Sequence, residues 1–156
     1  MNYQEFIIDP KDAQRILFGA GGKLGPMEFA QGLVAIIAVS LAFSLLSLIP
    51  GLGVLISVLG LIVGLVLAFA WVCIFSKRFH DAGQSGWMTL AAILVAFVLY
   101  FVVGLVLSPV FGSVDYTNLS SMQTMAAGMV VKNMITSILV NGALGYYMFK
   151  LKPALL

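Results

Sequence analysis

Apolar residues along this chain come in unbroken runs, not at the alternating or helical spacing that marks half-buried strands and surface helices. From Phe29 to Phe75 no charged residue occurs. As one helix that run would be about 70 Å long, against roughly 30 Å for the hydrocarbon core of a bilayer. It must therefore fold back on itself. Pro50 and Gly51 are the natural break, because proline removes a backbone donor and glycine accepts a turn. Two spans result, about Phe29–Ile49 and Leu52–Phe75, joined by a very short hairpin. A polar turn from Ser76 to Gly86 follows, and then a third uncharged run, Trp87–Leu107, whose length suits a span.

A second polar connector, Ser108–Thr124, contains Pro109, Gly112, Asp115 and Asn118. After it, a weaker apolar segment from about Val130 to Phe149 is interrupted by Lys132, Asn133 and Asn141. Tyr146, Tyr147, Lys150 and Lys152 end this segment as interfacial anchors end a span, which makes it the fourth; a helix lying partly in the interface is the alternative. Upstream, Met1–Gly22 contains Glu5, Asp9 and Asp12 and has no continuous apolar core, so it does not read as a signal peptide. It predicts a short amphipathic helix on the cytoplasmic lipid surface, with Asp9 as cap, Pro10 in the first turn, an apolar end at Ile16, Leu17 and Phe18, and a stop at Gly19. The expected architecture is an all-α integral membrane protein, with a cytoplasmic amphipathic segment over 1–22 and a four-span domain over 23–156.

Composition agrees with a bilayer as solvent. Of 156 residues 62% are hydrophobic and 9% charged, where a soluble domain has roughly 45–50% and about 25%. Eight Lys and Arg against six Asp and Glu is too even a balance to suggest a nucleic acid partner. The position of the charges matters more. Seven of the eight basic residues fall in the N-terminal segment (Lys11, Arg15, Lys23), the middle turn (Lys77, Arg78) and the tail (Lys150, Lys152). By the positive-inside rule these are cytoplasmic, as both termini then are, and Lys132 alone is left at the far end of the last span.

The middle turn, Ser76 to Trp87, concentrates the candidate chemistry. Lys77 and Arg78 suit the C-terminal end of a membrane helix, where cations oppose the helix dipole and meet anionic headgroups. Gly83 suits a tight turn, Ser85 can cap the next helix, and Trp87 belongs at the interface. His80 and Asp81 are required by none of this. Adjacent residues seldom face one another, so each is expected to pair with another segment; a structural clamp fits first, then a ligand or headgroup site, with catalysis last.

The same turn resembles the signature of a bacterial family of small inner-membrane proteins known only as domain of unknown function 805. That signature is a basic pair, a large apolar residue, His, Asp, any residue, Gly, any residue, Ser, Gly, Trp. Lys77 to Trp87 match it throughout, with Lys77 for the usual arginine. Gly22, Lys23, Glu28 and Phe29 match a second, weaker family motif, from which Gly25, Pro26 and Ala30 depart. The family's frequent C-terminal Asn-Arg-Phe-Gly element is missing. The resemblance, over roughly Gly22 to Phe149, implies a four-helix inner-membrane protein and no established activity.

Two other features invite functional readings. Gly25 as cap and Pro26 in the first turn place Glu28 third in its helix, where a carboxylate satisfies free amides. Since Glu28 lies on the same side as the middle turn, a pair between Glu28 and Arg78 is expected. In the last span Asn133, Ser137, Asn141 and Gly145 recur every four residues and form one stripe beside Lys132, while Gly60, Gly64 and Ala68 offer a close-packing face on the second span. A single His80 and Cys73 give no metal or nucleophile site, and no cofactor is expected.

The chain is thus expected to be non-catalytic, a scaffold or accessory subunit. A cytoplasmic cluster of Lys23, Glu28, Lys77, Arg78, His80 and Asp81, with Trp87, would bind anionic lipid, another membrane protein or a second copy. The alternative is a small transporter or channel component, with a polar path along Lys132, Asn133, Ser137 and Asn141.

Overall fold

The computed structural model describes residues 3–19, 21–49, 53–111 and 119–154. The Pro50–Gly51 break and the Gly112–Asn118 part of the second connector lie outside them. After a short 3-10 turn at Tyr3–Phe6 come α1 (Pro10–Phe18), α2 (Pro26–Leu46), α3 (Gly53–Asp81), α4 (Met88–Phe111) and α5 (Leu119–Lys150), with no strand among the described residues. Four stretches, Pro26–Leu46, Val58–Asp81, Met88–Phe111 and Ala127–Lys150, are long and apolar enough to cross a membrane. The protein is an all-helical, multi-pass membrane protein with a short N-terminal helix.

The first two helices begin as their sequences dictate. Asp9 accepts a hydrogen bond from the Lys11 amide at 2.9 Å, and Pro10 opens α1. Gly25 caps α2, Pro26 opens it, and Glu28 Oε2 accepts from the Gly25 amide at 3.3 Å. The other boundaries depart from the expected spans. Helix α3 does not stop at Phe75 but continues to Asp81, because nothing in Ser76–Asp81 breaks a helix and the first residue that does is Gly83. Helix α4 runs past Pro109 to Phe111, where proline removes only its own donor from the last turn. Helix α5 starts at Leu119, well ahead of Val130, since no proline and no glycine lies between Leu119 and Ala127.

Helix α2 packs against both α3 and α5, α4 packs against α5, and α3 and α4 touch only sparingly. The first of these seams depends on Gly32: a Cβ there would lie 3.0 Å from Ile16 Cγ2 and 3.2 Å from Ile74 Cγ2. At Gly145 a Cβ would collide with Leu33, so α2 and α5 also need a glycine to come together. Gly60 and Gly64, by contrast, line open space between α2 and α3, so the expected close-packing face of α3 is not closely packed there. Aromatic packing strengthens the α2–α3 contact, with Phe29 edge-on to Phe75 at 5.1 Å, and within α3 Trp71 stacks on Phe75 at 3.7 Å. Helix α1 does not lie free on a lipid surface. It packs on α3 and α2, with Ile16 fully buried and Leu17 half-buried against the core.

Candidate functional site

Because α3 continues through Asp81, Lys77 and Arg78 sit on a helix about 100° apart and point at different neighbours. Lys77 is 2% exposed, and its Nζ donates to the Arg15 and Ile16 carbonyls at 2.7 and 2.6 Å. Arg78 is fully buried; its Nε donates to the Met148 carbonyl at 3.0 Å, and its terminal nitrogens donate to the Leu151 carbonyl and the Asp81 carboxylate. Carbonyls at helix C-termini have no intrahelical donor and carry the negative end of the dipole. Two consecutive cations of α3 thus cap two other helices, Lys77 at α1 and Arg78 at α5. This corrects the expectation that both meet lipid headgroups at the end of their own helix.

The expected pair between Glu28 and Arg78 does not form. Helix α1, docked beside the start of α2, brings Arg15 to Glu28, with Nη2 to Oε1 at 2.6 Å, and Arg15 also reaches Asp12 at 3.3 Å. The hydrogen bond that Arg15 donates to Glu28, together with the charge of that carboxylate, holds the Arg15 guanidinium above its ordinary range. Lys23 is exposed at the edge of this cluster, and the next residue, Leu24, is buried with its amide 3.4 Å from the Lys77 carbonyl.

Beyond the clamp α3 ends in a Schellman turn. Gly83 has φ +72°, its amide donates to the His80 carbonyl at 3.1 Å, and the Gln84 amide donates to the Phe79 carbonyl at 2.8 Å. The C-terminal tail seats on this turn: the Ala154 amide donates to the Asp81 carbonyl at 2.8 Å, and Ala154 Cβ lies 2.8 Å from where a Cβ on Gly83 would be. Asp81 faces Arg78. His80 is half-buried and lies over Gly86, where a Cβ would be 2.8 Å from Nε2 and 3.2 Å from Ser76 Oγ. His80 and Asp81 therefore do not form a dyad. Ser85 Oγ accepts from the Trp87 amide at 3.4 Å, and the Trp87 ring is 78% exposed.

Deeper in the membrane the stripe on α5 divides. Asn141 is buried; its Oδ1 accepts from Trp71 Nε1 at 3.0 Å, while its Nδ2 donates to Tyr100 OH at 2.9 Å and to the Ser137 carbonyl at 3.0 Å. Ser137 is half-buried beside this network, but Asn133 is exposed on the outside of the bundle. A step of four residues overshoots a helical turn by about 40°, which carries the stripe off the inner face by Asn133. Lys132 lies to one side, its Nζ 3.4 Å from Ser108 Oγ on α4. The four residues of the expected polar path thus do not line one route. Trp71 and Tyr100, partners of Asn141, were not anticipated; an asparagine inside lipid needs donors and acceptors, and these are the indole and phenol available inside the second and third apolar runs.

Among the described residues no three His, Cys, Asp or Glu side chains gather where they could hold a metal ion. A family model described as "Protein of unknown function (DUF805)" matches residues 17–118, from the end of α1 to beyond α4. No curated protein and no solved structure matches the chain.

Proposed function

The chain belongs to the DUF805 family of proteins of unknown function, and from that premise we propose a non-catalytic scaffold or accessory subunit of the bacterial inner membrane. Both termini are cytoplasmic, and the clamped end of the bundle binds the anionic lipid surface. The observation that supports this reading is the division of labour among the cations at that end. Lys77 and Arg78 are bonded internally, which leaves them unable to serve lipid, whereas Lys11, Lys23, Lys150 and Lys152 are exposed around them. The contacts of Lys77 with α1 and of its carbonyl with Leu24, and those of Arg78 with the tail, hold the segments that carry those four lysines at one end of the bundle. Lysines near an anionic surface contribute about 1 kcal/mol each.

The test is to extract the protein gently with its native lipid and compare it with a variant in which Lys11, Lys23, Lys150 and Lys152 are all changed to Gln. Native mass spectrometry should show anionic lipid enriched on the wild type and lost from the variant, with helicity unchanged. An equal ratio of anionic to zwitterionic lipid on both proteins would overturn the reading. The same spectra report a second copy or a membrane partner.

A further inference from the structure

Helices α3 and α4 touch each other sparingly, and two adjoining cavities lie along them. The upper one, about 470 Å3, opens at the middle turn and is lined by Ser76, His80, Ser85, Thr89 and Trp87. The lower one, about 410 Å3, is lined by apolar side chains of α2, α3 and α4 and reaches the Trp71, Tyr100, Ser137 and Asn141 network. Val72 and Ile93 line both, so the cavities adjoin. Each volume falls within the roughly 300–1,000 Å3 of small-molecule sites. Trp71 lies about 14 Å along α3 from His80, which is half of a hydrocarbon core of about 30 Å. The seam therefore runs from the headgroup level to the middle of the bilayer.

Its two halves differ in chemistry as the two halves of a lipid do. The lining of the mouth includes hydroxyls and an imidazole but no carboxylate, and the N-terminus of α4 opens onto it, which favours an anion. An independent observation points to a ligand there: Thr89 is only 4% exposed, and its hydroxyl has no hydrogen-bond partner. A buried hydroxyl left alone costs about 1–3 kcal/mol, so a partner is expected where the cavity gives access. The His80 side chain makes no hydrogen bond among the described residues either. Below the mouth, Gly64 and Ala68 on α3 and Ala96 on α4 leave room where larger residues would close the seam.

We propose that the α3–α4 seam is a binding site for one membrane glycerophospholipid. The phosphodiester is held at the mouth by Thr89, His80 and Ser76, and one acyl chain runs down the seam to Trp71. The site does not require the exposed lysines, none of which lines it, because the phosphodiester is common to zwitterionic and anionic lipids.

The chain has two tryptophans, Trp71 in the lower cavity and Trp87 at the mouth. A Trp87→Phe protein in bilayers therefore reports the lower cavity alone. The probe is phosphatidylcholine brominated toward the chain end and diluted into unlabelled ether lipid that lacks phosphate. A zwitterionic probe gains no net attraction from the exposed lysines, so failure of the seam site and failure of the surface reading are distinguishable. Quenching of Trp71 should saturate at a low mole fraction of probe. Thr89→Val should raise the half-saturating fraction about tenfold, the loss of one hydrogen bond to a charged group, and Ala96→Phe should abolish saturation by filling the seam. Both variants should keep wild-type helicity and unfolding temperature. Inorganic phosphate should not compete, whereas competition at millimolar concentration would mark the mouth as a free-anion site and overturn the lipid assignment. Quenching that rises linearly with probe, or that saturates equally in wild type and Thr89→Val, would overturn the site itself.

Discussion

The clamp at the end of α3 and the seam between α3 and α4 lie along the same helix, yet they treat polar groups in opposite ways. At the clamp two full charges are buried, and each meets backbone carbonyls or a carboxylate at hydrogen-bonding distance. Along the seam no Lys, Arg, Asp or Glu lines the space, the space is open, and the buried Thr89 hydroxyl is left without a partner. The difference follows from cost. An unpaired charge out of water is worth several kcal/mol and must be satisfied within the protein, whereas an unpaired hydroxyl is tolerable and stays available to a ligand. The charged residues that attract attention in the sequence thus hold the fold. The neutral ones beside them are the better candidates for recognition.

Removing Arg78 should therefore do the most damage. Arg78→Leu leaves the Met148 and Leu151 carbonyls and the Asp81 carboxylate without their donor, and the expected loss is about 3–5 kcal/mol. Unfolding in detergent, followed by circular dichroism, measures it. Arg78→Lys should recover only part of the loss, because one ammonium cannot span three acceptors held by a planar fork. Wild-type stability in Arg78→Leu would erase the contrast between the two regions.

The same measurement on Asn141→Leu sharpens the comparison from the other side. Hydrogen bonds between membrane helices are worth about 0.6–2 kcal/mol, so this loss should be smaller than that of Arg78→Leu even though Asn141 contacts Trp71 and Tyr100 together. Emission from Trp71 should change as its indole loses the acceptor. A loss equal to that of Arg78→Leu would mean that the middle of the bundle is clamped as firmly as its end.

How much of this was legible in the sequence follows from the range of the interactions. Helix starts at Asp9–Pro10 and Gly25–Pro26 depend on residues a turn apart, and the structure places both where they were expected. The first three spans follow from uncharged length, and the fourth from its apolar stretch and the aromatic and basic anchors at its end. The middle turn was misjudged because its polar residues read as loop, while the helical backbone runs on through Lys77, Arg78 and Asp81 to the left-handed Gly83. That shift also decided the partners. Once Arg78 lies on the helix, Asp81 is its neighbour three residues on, and Glu28 is left to Arg15. No local pattern announces that Lys77 caps α1 or Arg78 caps α5, because the acceptors are backbone carbonyls, which every residue has. The seam escaped notice for the same reason: glycine and alanine at Gly64 and Ala68 read equally well as packing or as space, and only the position of α4 decides.

The smallest expected effect separates two ways of holding one short helix. Helix α1 is fixed at the bundle by the pair between Arg15 and Glu28 and by the cap that Lys77 places on its end. The Arg15 and Glu28 side chains are 54% and 37% exposed, so their attraction is screened by salt. Lys77 is shielded from the solvent. Reversing Arg15 to Glu or Glu28 to Arg should each loosen α1 slightly at low salt, seen as faster amide exchange over Ala13–Phe18, and the double reversal should restore protection. At about 1 M salt, where the Debye length is about 3 Å, the single reversals should become indistinguishable from wild type. The loss from Lys77→Met should persist at that salt, because it removes the donor to two buried carbonyls. Equal salt sensitivity in all the variants would show that α1 is held by charge alone, and that the clamp differs from the surface pair in strength but not in kind.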